Sequence, residues 1–170
     1  MRLIFSMRLS SLTADYNGVA MMINELTEKE CSELLARVAM GRLGCALDNQ
    51  PYVVPINFAH DGDNIYALAT FGQKIEWMRV NPKVCVQVDE IQGQGQWMSV
   101  IVNGQYQELP EPRYAEERAR ARQLLEKRHG WWLNAMGERL MKSGGEHLIE
   151  PLFFCIHIDS MTGLRASNQN

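Results

Sequence analysis

One short stretch of the chain combines the residue types that bind a phosphate. Residues 70–74 read Thr-Phe-Gly-Gln-Lys and join the end of an apolar run to the start of a helical pattern. The first amides of a helix have no partner within the helix, and the helix dipole favours negative charge there. The stretch therefore predicts an anion site, built from Thr70, Phe71, Gly72, Gln73 and Lys74. A capped helix with an exposed lysine is the alternative.

A second candidate is the apolar strand that reads Val-Val-Pro-Ile-Asn-Phe over residues 53–58. Asn57 carries a donor and an acceptor, which suits the edge of a heterocycle, while its apolar neighbours could cover the face of the ring. Pro55 has no amide hydrogen, so it fits only at a sheet edge or a bulge. The predicted ring-binding residues are Val54, Pro55, Ile56, Asn57 and Phe58. A core strand with a bulge is the alternative.

Three single residues complete the candidate site. Trp97 could pack beside a ring system, Ser99 could bond a phosphate, and the guanidinium of Arg42 suits the same anion. Core packing, or a surface ion pair for Arg42, is the alternative. The sequence contains none of the motifs of a self-contained hydrolase, metalloprotease or nucleotide-binding loop, so no catalytic residue is predicted. Any reactivity would then come from a bound cofactor.

Composition limits the classes of protein to which the chain could belong. The 170 residues carry a formal net charge of −3, which argues against nucleic acid as a partner. No apolar run approaches the length of a membrane span. The cysteines stand singly in or near apolar runs and not at zinc spacing, at Cys31, Cys45, Cys85 and Cys155. We therefore expect free thiols, no metal site and a cytoplasmic location.

The elements that must position these residues alternate between strands and helices. Thr27 to Glu30 form a capping box, and the helix that follows is expected to end at Gly41. About six strands follow at short spacing, which favours a barrel or a sandwich of mainly β type with accessory helices. Residues 89–96 read as a loop, and residues 111–143 as a helical insertion with separate helices over 114–128 and 131–142. Trp131 and Trp132 suggest a dimer contact or a pocket wall, with local core packing as the alternative.

Domain boundaries follow from the same pattern. Residues 1–22 are expected to be a disordered extension, residues 23–165 one domain, and residues 166–170 a loose tail.

Five motifs in a fixed order resemble the flavin-binding split-barrel superfamily of pyridoxamine 5′-phosphate oxidase, and its nitroimidazole-resistance branch in particular. They lie at residues 41–44, 51–58, 65–74, 81–86 and 97–104. The resemblance implies a six-stranded antiparallel split β-barrel and a homodimer that holds FMN between its subunits.

By position, the resemblance places residues 54–58 along the flavin ring and residues 70–74 around the phosphate, with Arg42 as a second cation. Trp97 and Ser99 would lie near the cofactor, from either chain. The expected function is that of an FMN-dependent oxidoreductase acting on a small molecule. A flavin store or sensor, or a binder of haem or a deazaflavin, is the alternative.

Overall fold

The chain forms a mainly antiparallel β structure. The computed structural model describes residues 12–16, 19–93, 95–142 and 151–168. Its strands are β1 (Leu12–Tyr16), β2 (Val19–Glu25), β3 (Met40–Leu47), β4 (Gln50–Asp61), β5 (Asn64–Ala69), β6 (Lys83–Gly93), β7 (Gln96–Glu108) and β8 (Leu152–Asn168). Its helices are α1 (Glu28–Arg37), α2 (Gln73–Val80) and α3 (Ala115–Lys142).

Six of the strands close into a ring, in the order β8, β5, β4, β3, β6, β7 and back to β8. All of these pairs are antiparallel. β4 changes partner along its length, because residues 50–57 pair with β3 and residues 58–61 with β5. Pro55 therefore lies where only one side of the strand is paired, as its missing amide hydrogen requires. The predicted six-stranded split barrel with accessory helices is confirmed.

The core fills this ring with side chains that alternate along each strand. Val86 and Val88 of β6 face inward with Val100 and Val102 of β7, and all four are fully buried. The buried residues of α1 and α2 belong to the same cluster, namely Cys31, Leu34, Leu35, Ile75 and Met78. A smaller cluster joins α3 to β5 and β8 through Leu68, Leu125 and Phe153. Burial of each such aliphatic side chain contributes roughly 1.5–3 kcal/mol, so packing fixes both short helices on the barrel.

The chain termini are more ordered than expected. Residues 12–16 and 19–25 are strands, where we expected disorder up to residue 22, and β2 pairs with residues 164–168 of β8. The reason is that β8 continues for ten residues beyond the apolar run 152–158, which gives β2 an edge to join. The expected loose tail is paired over residues 166–168 for the same reason. Residues 1–11, 169 and 170 lie outside the described part.

Three internal boundaries also differ. Gly41 lies within β3 instead of ending α1, and the expected loop over residues 89–96 is largely strand, with β6 and β7 pairing up to Gly93 and Gln96. The insertion holds one helix, α3, which continues through Gly130 because a single glycine weakens a helix by only about 1 kcal/mol. Trp131 and Trp132 lie in α3, and their side chains are outside the described part. None of the described helices has the length and apolar character needed to cross a membrane.

Candidate functional site

Residues 70–74, which we call the entry loop, form a helix start that no side chain caps. It comprises the connection from β5 to α2 and the first two residues of α2, and Gly72 is the N-cap residue of that helix. The carbonyl oxygen of Gly72 accepts the amides of Ile75 and Glu76, at 2.9 and 3.1 Å. The amides of Gln73 and Lys74 precede that pair, so they point out of the helix start. These exposed amides are the feature on which the predicted anion site depends.

Open space lies next to these amides. A side-chain carbon added at Gly72 would meet no atom within 4 Å. Phe71 is 54% exposed, Gln73 is exposed and Thr70 is partly buried. A bulky ligand could therefore approach the backbone of the entry loop without displacing a side chain.

Lys74 is partly buried at the same helix start. Burial lowers the pKa of its ammonium group, and the nearby thiol of Cys45 acts in the opposite direction. Within the described part of the chain, no carboxylate lies within ion-pair distance of Lys74. A cation that is partly removed from water and has no carboxylate partner is stabilised by a bound anion. The entry loop thus carries two outward amides and one partly buried ammonium.

The strand over residues 54–58 divides its side chains between two surfaces. Ile56 and Phe58 are buried in the barrel core, and Val54 packs against that core. Pro55 is exposed and Asn57 is partly buried on the opposite side. Side chains alternate along a strand, so this segment cannot present all five residues to one ligand. Only Pro55 and Asn57 of the predicted ring-binding residues lie on the outside of the barrel.

Arg42 and Ser99 meet through a polar network on the outside of β3, β6 and β7. The Arg42 guanidinium donates to Asp89 Oδ1 at 2.6 Å. The Gln87 amide donates to Asp89 Oδ1 at 3.0 Å and to Ser99 Oγ at 3.2 Å. The network places Arg42 and Ser99 on one surface, but Arg42 is bonded to a carboxylate and lies apart from Lys74, which is beside the inward-facing Cys45.

Trp97 lies on this surface as well. It is partly buried and lines a cavity of about 540 Å³ together with Ser99, Ile101, Gly163 and Leu164. We call the outward side chains of β3, β4, β6, β7 and β8 the outer face, including Arg42, Asn57, Asp89, Trp97, Ser99 and Ile101. The predicted residues therefore form two groups in one chain, the entry loop and the outer face.

Sequence reasoning missed two members of the outer face, Gln87 and Asp89. Asp89 falls in the expected loop over residues 89–96, although it continues the alternation in which Val84, Val86 and Val88 point inward. Extending that two-residue period by one step would have placed both polar residues on the outside of the barrel.

Comparison with known proteins provides independent evidence. Residues 27–165 match the protein family described as pyridoxamine 5′-phosphate oxidase. The chain is 40% identical over 151 residues to an uncharacterised protein of Rhizobium meliloti (strain 1021). The aligned region covers 86% of this chain and 97% of that protein.

Solved structures resemble the chain over most of its length. An FAD-binding protein of Mesorhizobium loti is 39% identical, with a TM-score of 0.70 over 86% of this chain and 98% of that one. A candidate 5-nitroimidazole antibiotic resistance protein of Bacteroides thetaiotaomicron is 16% identical, with a TM-score of 0.65 over 93% of each chain. The second likeness is one of fold alone.

Proposed function

The chain belongs to the pyridoxamine 5′-phosphate oxidase family, as its five motifs indicated, and from this premise we propose that it binds FMN and acts as an oxidoreductase on a small molecule. The observation that carries the proposal is the entry loop, where an uncapped helix start lies beside a partly buried lysine without a carboxylate partner. The relative from Mesorhizobium loti, which binds FAD, supports a flavin as the ligand.

The residues of the entry loop fit the phosphate of FMN. The amides of Gln73 and Lys74 would donate to its oxygens, the Lys74 ammonium would neutralise part of its charge, and the Thr70 hydroxyl would add a donor. Gly72 leaves the space that the phosphate needs, because nothing lies within 4 Å of the position of a side-chain carbon there. Pro55 and Asn57 are the residues of β4 that can border the ring from outside the barrel.

When bound, the flavin supplies the redox chemistry by accepting or donating a hydride. The protein's part is to anchor the phosphate, to orient the ring and to leave one side of it open to a substrate. Asn57 can hydrogen-bond the edge of the ring from the outer face, where it lies opposite Met40 of β3. Free thiols at all four cysteines suit a reducing compartment and support a cytoplasmic location.

We also propose a homodimer with the flavin between its subunits. Trp97 and Ser99 lie on the outer face, whereas the entry loop lies at the start of α2. Exposed apolar side chains on the outer face suggest how the groups come together, because Met40, Val53, Ile101 and Leu164 are 53, 64, 45 and 40% exposed. An apolar patch of this kind commonly contacts another chain. A second copy on this face would bring its Trp97 and Ser99 towards the entry loop of the first.

An absorbance spectrum of the purified protein, with mass identification of the released ligand, tests the cofactor. We expect the near-ultraviolet and visible absorbance bands of an oxidised flavin and the mass of FMN. A haem or deazaflavin spectrum, or no uptake of added FMN, would contradict the proposal. Turnover with NAD(P)H and a panel of acceptors then tests the oxidoreductase. Bound flavin without any turnover would instead indicate a store or a sensor.

Light scattering at micromolar concentration tests the dimer. We expect Ile101→Lys to give monomers, since a charge without a partner in an apolar interface costs several kcal/mol. Val80→Lys is the matched control, because Val80 is 70% exposed at the end of α2 and lies off the outer face. A monomeric wild-type protein would rule out the dimer.

A further inference from the structure

The cavity of about 540 Å³ beside Trp97 lies on the face that the proposed dimer would cover. Sites for small molecules commonly enclose about 300–1,000 Å³. A second copy on the outer face would close the mouth of this cavity, and an apolar cavity that is left empty is destabilising. The flavin ring between the subunits would occupy part of the space. The remainder is available to a substrate beside the ring.

Aromatic and aliphatic side chains form most of the cavity wall. Trp97 and Ile101 line it from β7, and Leu164 lines it from β8. Trp97 is partly buried, whereas Ile101 and Leu164 are 45 and 40% exposed. The face of an indole ring attracts planar groups, and it attracts cations more strongly than the ring of any other side chain. The wall therefore favours a planar ligand and tolerates a positive charge on it.

Glu25 supplies the charge of the cavity. It is the one charged side chain among the described residues that line the cavity, and it is exposed. Within the described part of the chain, Glu25 takes part in no ion pair. Arg165 of the neighbouring strand pairs with Glu30 instead, at 2.8 Å. The cavity thus presents a carboxylate without a cationic partner next to apolar walls, which attracts a cation and repels an anion.

Backbone pairing fixes the place of this carboxylate. Glu25, the last residue of β2, pairs with Leu164, and Leu164 pairs on its other side with Ser99 of β7. The next amide donates to a carbonyl of β8 at 2.8 Å, which holds the end of β2 in place. Since neighbouring strands lie about 4.8 Å apart, Glu25 and Ser99 are about 10 Å from each other across the sheet. That spacing leaves room for a planar group between the carboxylate and Trp97, which precedes Ser99 by two residues on the same face.

We propose that this cavity binds a planar aromatic cation and that such a cation is the protein's class of substrate. The inference rests on the proposed function, because the flavin would lie beside the cavity in the dimer. The aromatic system would stack on Trp97, and the positive charge would lie between that indole and the Glu25 carboxylate. Ile101 and Leu164 would cover the apolar edges of the ligand. An uncharged ring of the same size would keep the stacking and lose the attraction to Glu25.

Calorimetric titration of the FMN-loaded protein with 1-methylquinolinium and with quinoline at about pH 8 tests this assignment. The two compounds share one bicyclic ring system, and only the first is charged under these conditions. We expect the cation to bind about ten-fold more tightly, which is the combined gain from a cation–π contact and an exposed ion pair.

Glu25→Gln should lower that preference to about three-fold and leave the affinity for FMN unchanged, because it removes the charge alone. Glu28→Gln is the matched control and should keep the ten-fold preference. Glu28 is also exposed and has no ion pair among the described residues, but it is not one of the residues that line the cavity.

Each outcome separates this inference from the proposed function. If the protein takes up no FMN, the proposed function fails and this inference fails with it. If the FMN-loaded protein binds both compounds equally, or binds neither, the cavity does not select a cation, although the flavin site stands. A ten-fold preference that survives in Glu25→Gln would also overturn the assignment, because the charge would then be recognised elsewhere.

Trp97→Leu, measured at saturating FMN, tests the stacking on its own. It should weaken the binding of both compounds by about five-fold, because each loses the face of the indole ring. Affinities equal to those of the wild-type protein would remove Trp97 from the site.

Discussion

Two helices of this protein begin with a lysine at the second position, and their starts differ in what satisfies the first amides. At α1, Thr27 Oγ1 accepts the amide of Glu30 at 3.3 Å, and Glu30 Oε2 accepts the amide of Thr27 at 2.8 Å. At α2, Gly72 provides no side-chain cap. Lys29 is 86% exposed and pairs with Glu33, whereas Lys74 is partly buried and has no carboxylate partner among the described residues.

The difference shows that one helix start is completed by its own chain and the other is left for a ligand. A capping box contributes about 1 kcal/mol to stability, so its absence at α2 is a cost that the bound phosphate can offset. The comparison can be tested in three ways. A side-chain cap can be added at the start of α2, Lys74 can be removed, and the side-chain cap of α1 can be removed.

Gly72→Asp closes the start of α2 and should have the largest effect. The backbone of Gly72 is extended, which any residue adopts, and the new carboxylate would accept the free amides. We expect the affinity for FMN to fall by more than about 100-fold, because the carboxylate occupies the anion site and repels the phosphate. The flavin-free protein should become more stable by about 1 kcal/mol. Titration with FMN and urea unfolding measure the two effects.

Gly72→Ala is the control, since it adds the side-chain carbon without the charge. It should weaken FMN binding far less than Gly72→Asp does. Equal losses in the two variants would mean that space, and not the anion site, limits binding at this position.

Lys74→Ala should have the next largest effect. Loss of one charge-assisted hydrogen bond should weaken FMN binding by about 1–3 kcal/mol. Lys29→Ala removes the lysine at the same position of the capped helix and should leave the affinity unchanged. Titration calorimetry of both variants measures the difference. An affinity that is unaffected by Lys74→Ala would remove Lys74 from the site.

The two helix starts also show which features of this protein can be predicted from its sequence. The capping box at Thr27 and the open start at Gly72 were both predicted and both found, because each depends on fewer than six consecutive residues. Residues 54–58 were predicted to share one ligand, but the alternation of the strand places Ile56 and Phe58 in the core. The alternation of side chains is visible in the sequence. Which of the two alternating sets faces the core becomes clear only when the neighbouring strands are placed.

The partners of Arg42 could not be predicted in this way. Arg42 and Asp89 are 47 residues apart, and their contact depends on the pairing of β3 with β6. The pairing of β2 with the end of β8 is of the same kind, because it joins opposite ends of the chain. Local patterns give the elements and the entry loop, whereas the outer face depends on long-range pairing that no local pattern specifies.

Thr27→Ala opens the start of α1, and its effect should fall on stability alone. We expect a loss of about 1 kcal/mol in the free energy of unfolding, because the amide of Glu30 loses its side-chain acceptor. The affinity for FMN should not change, since the newly freed amide lies beside Lys29, which is already paired with Glu33. Urea unfolding and FMN titration are the measurements. A gain in phosphate affinity at α1 would mean that any uncapped start in this fold binds an anion.

The smallest expected effect is the pH dependence of that loss. Hydrogen bonds from the Thr27 backbone and side chain, with a further one from Arg165, lower the pKa of Glu30 from its usual 4.5 to about 2. A carboxyl group with a lowered pKa in the folded protein contributes stability above its unfolded pKa and loses it as the pH falls towards the folded one. Thr27→Ala removes only the side-chain bond and leaves those from the backbone and from Arg165, so the stability difference should be constant from pH 7 to below 4.5 and shrink only as the pH approaches about 2. Urea midpoints at pH 7, 4.5 and 2 measure it, and a difference that stays constant down to pH 2 would show that the Thr27 hydroxyl has no part in lowering the pKa of Glu30.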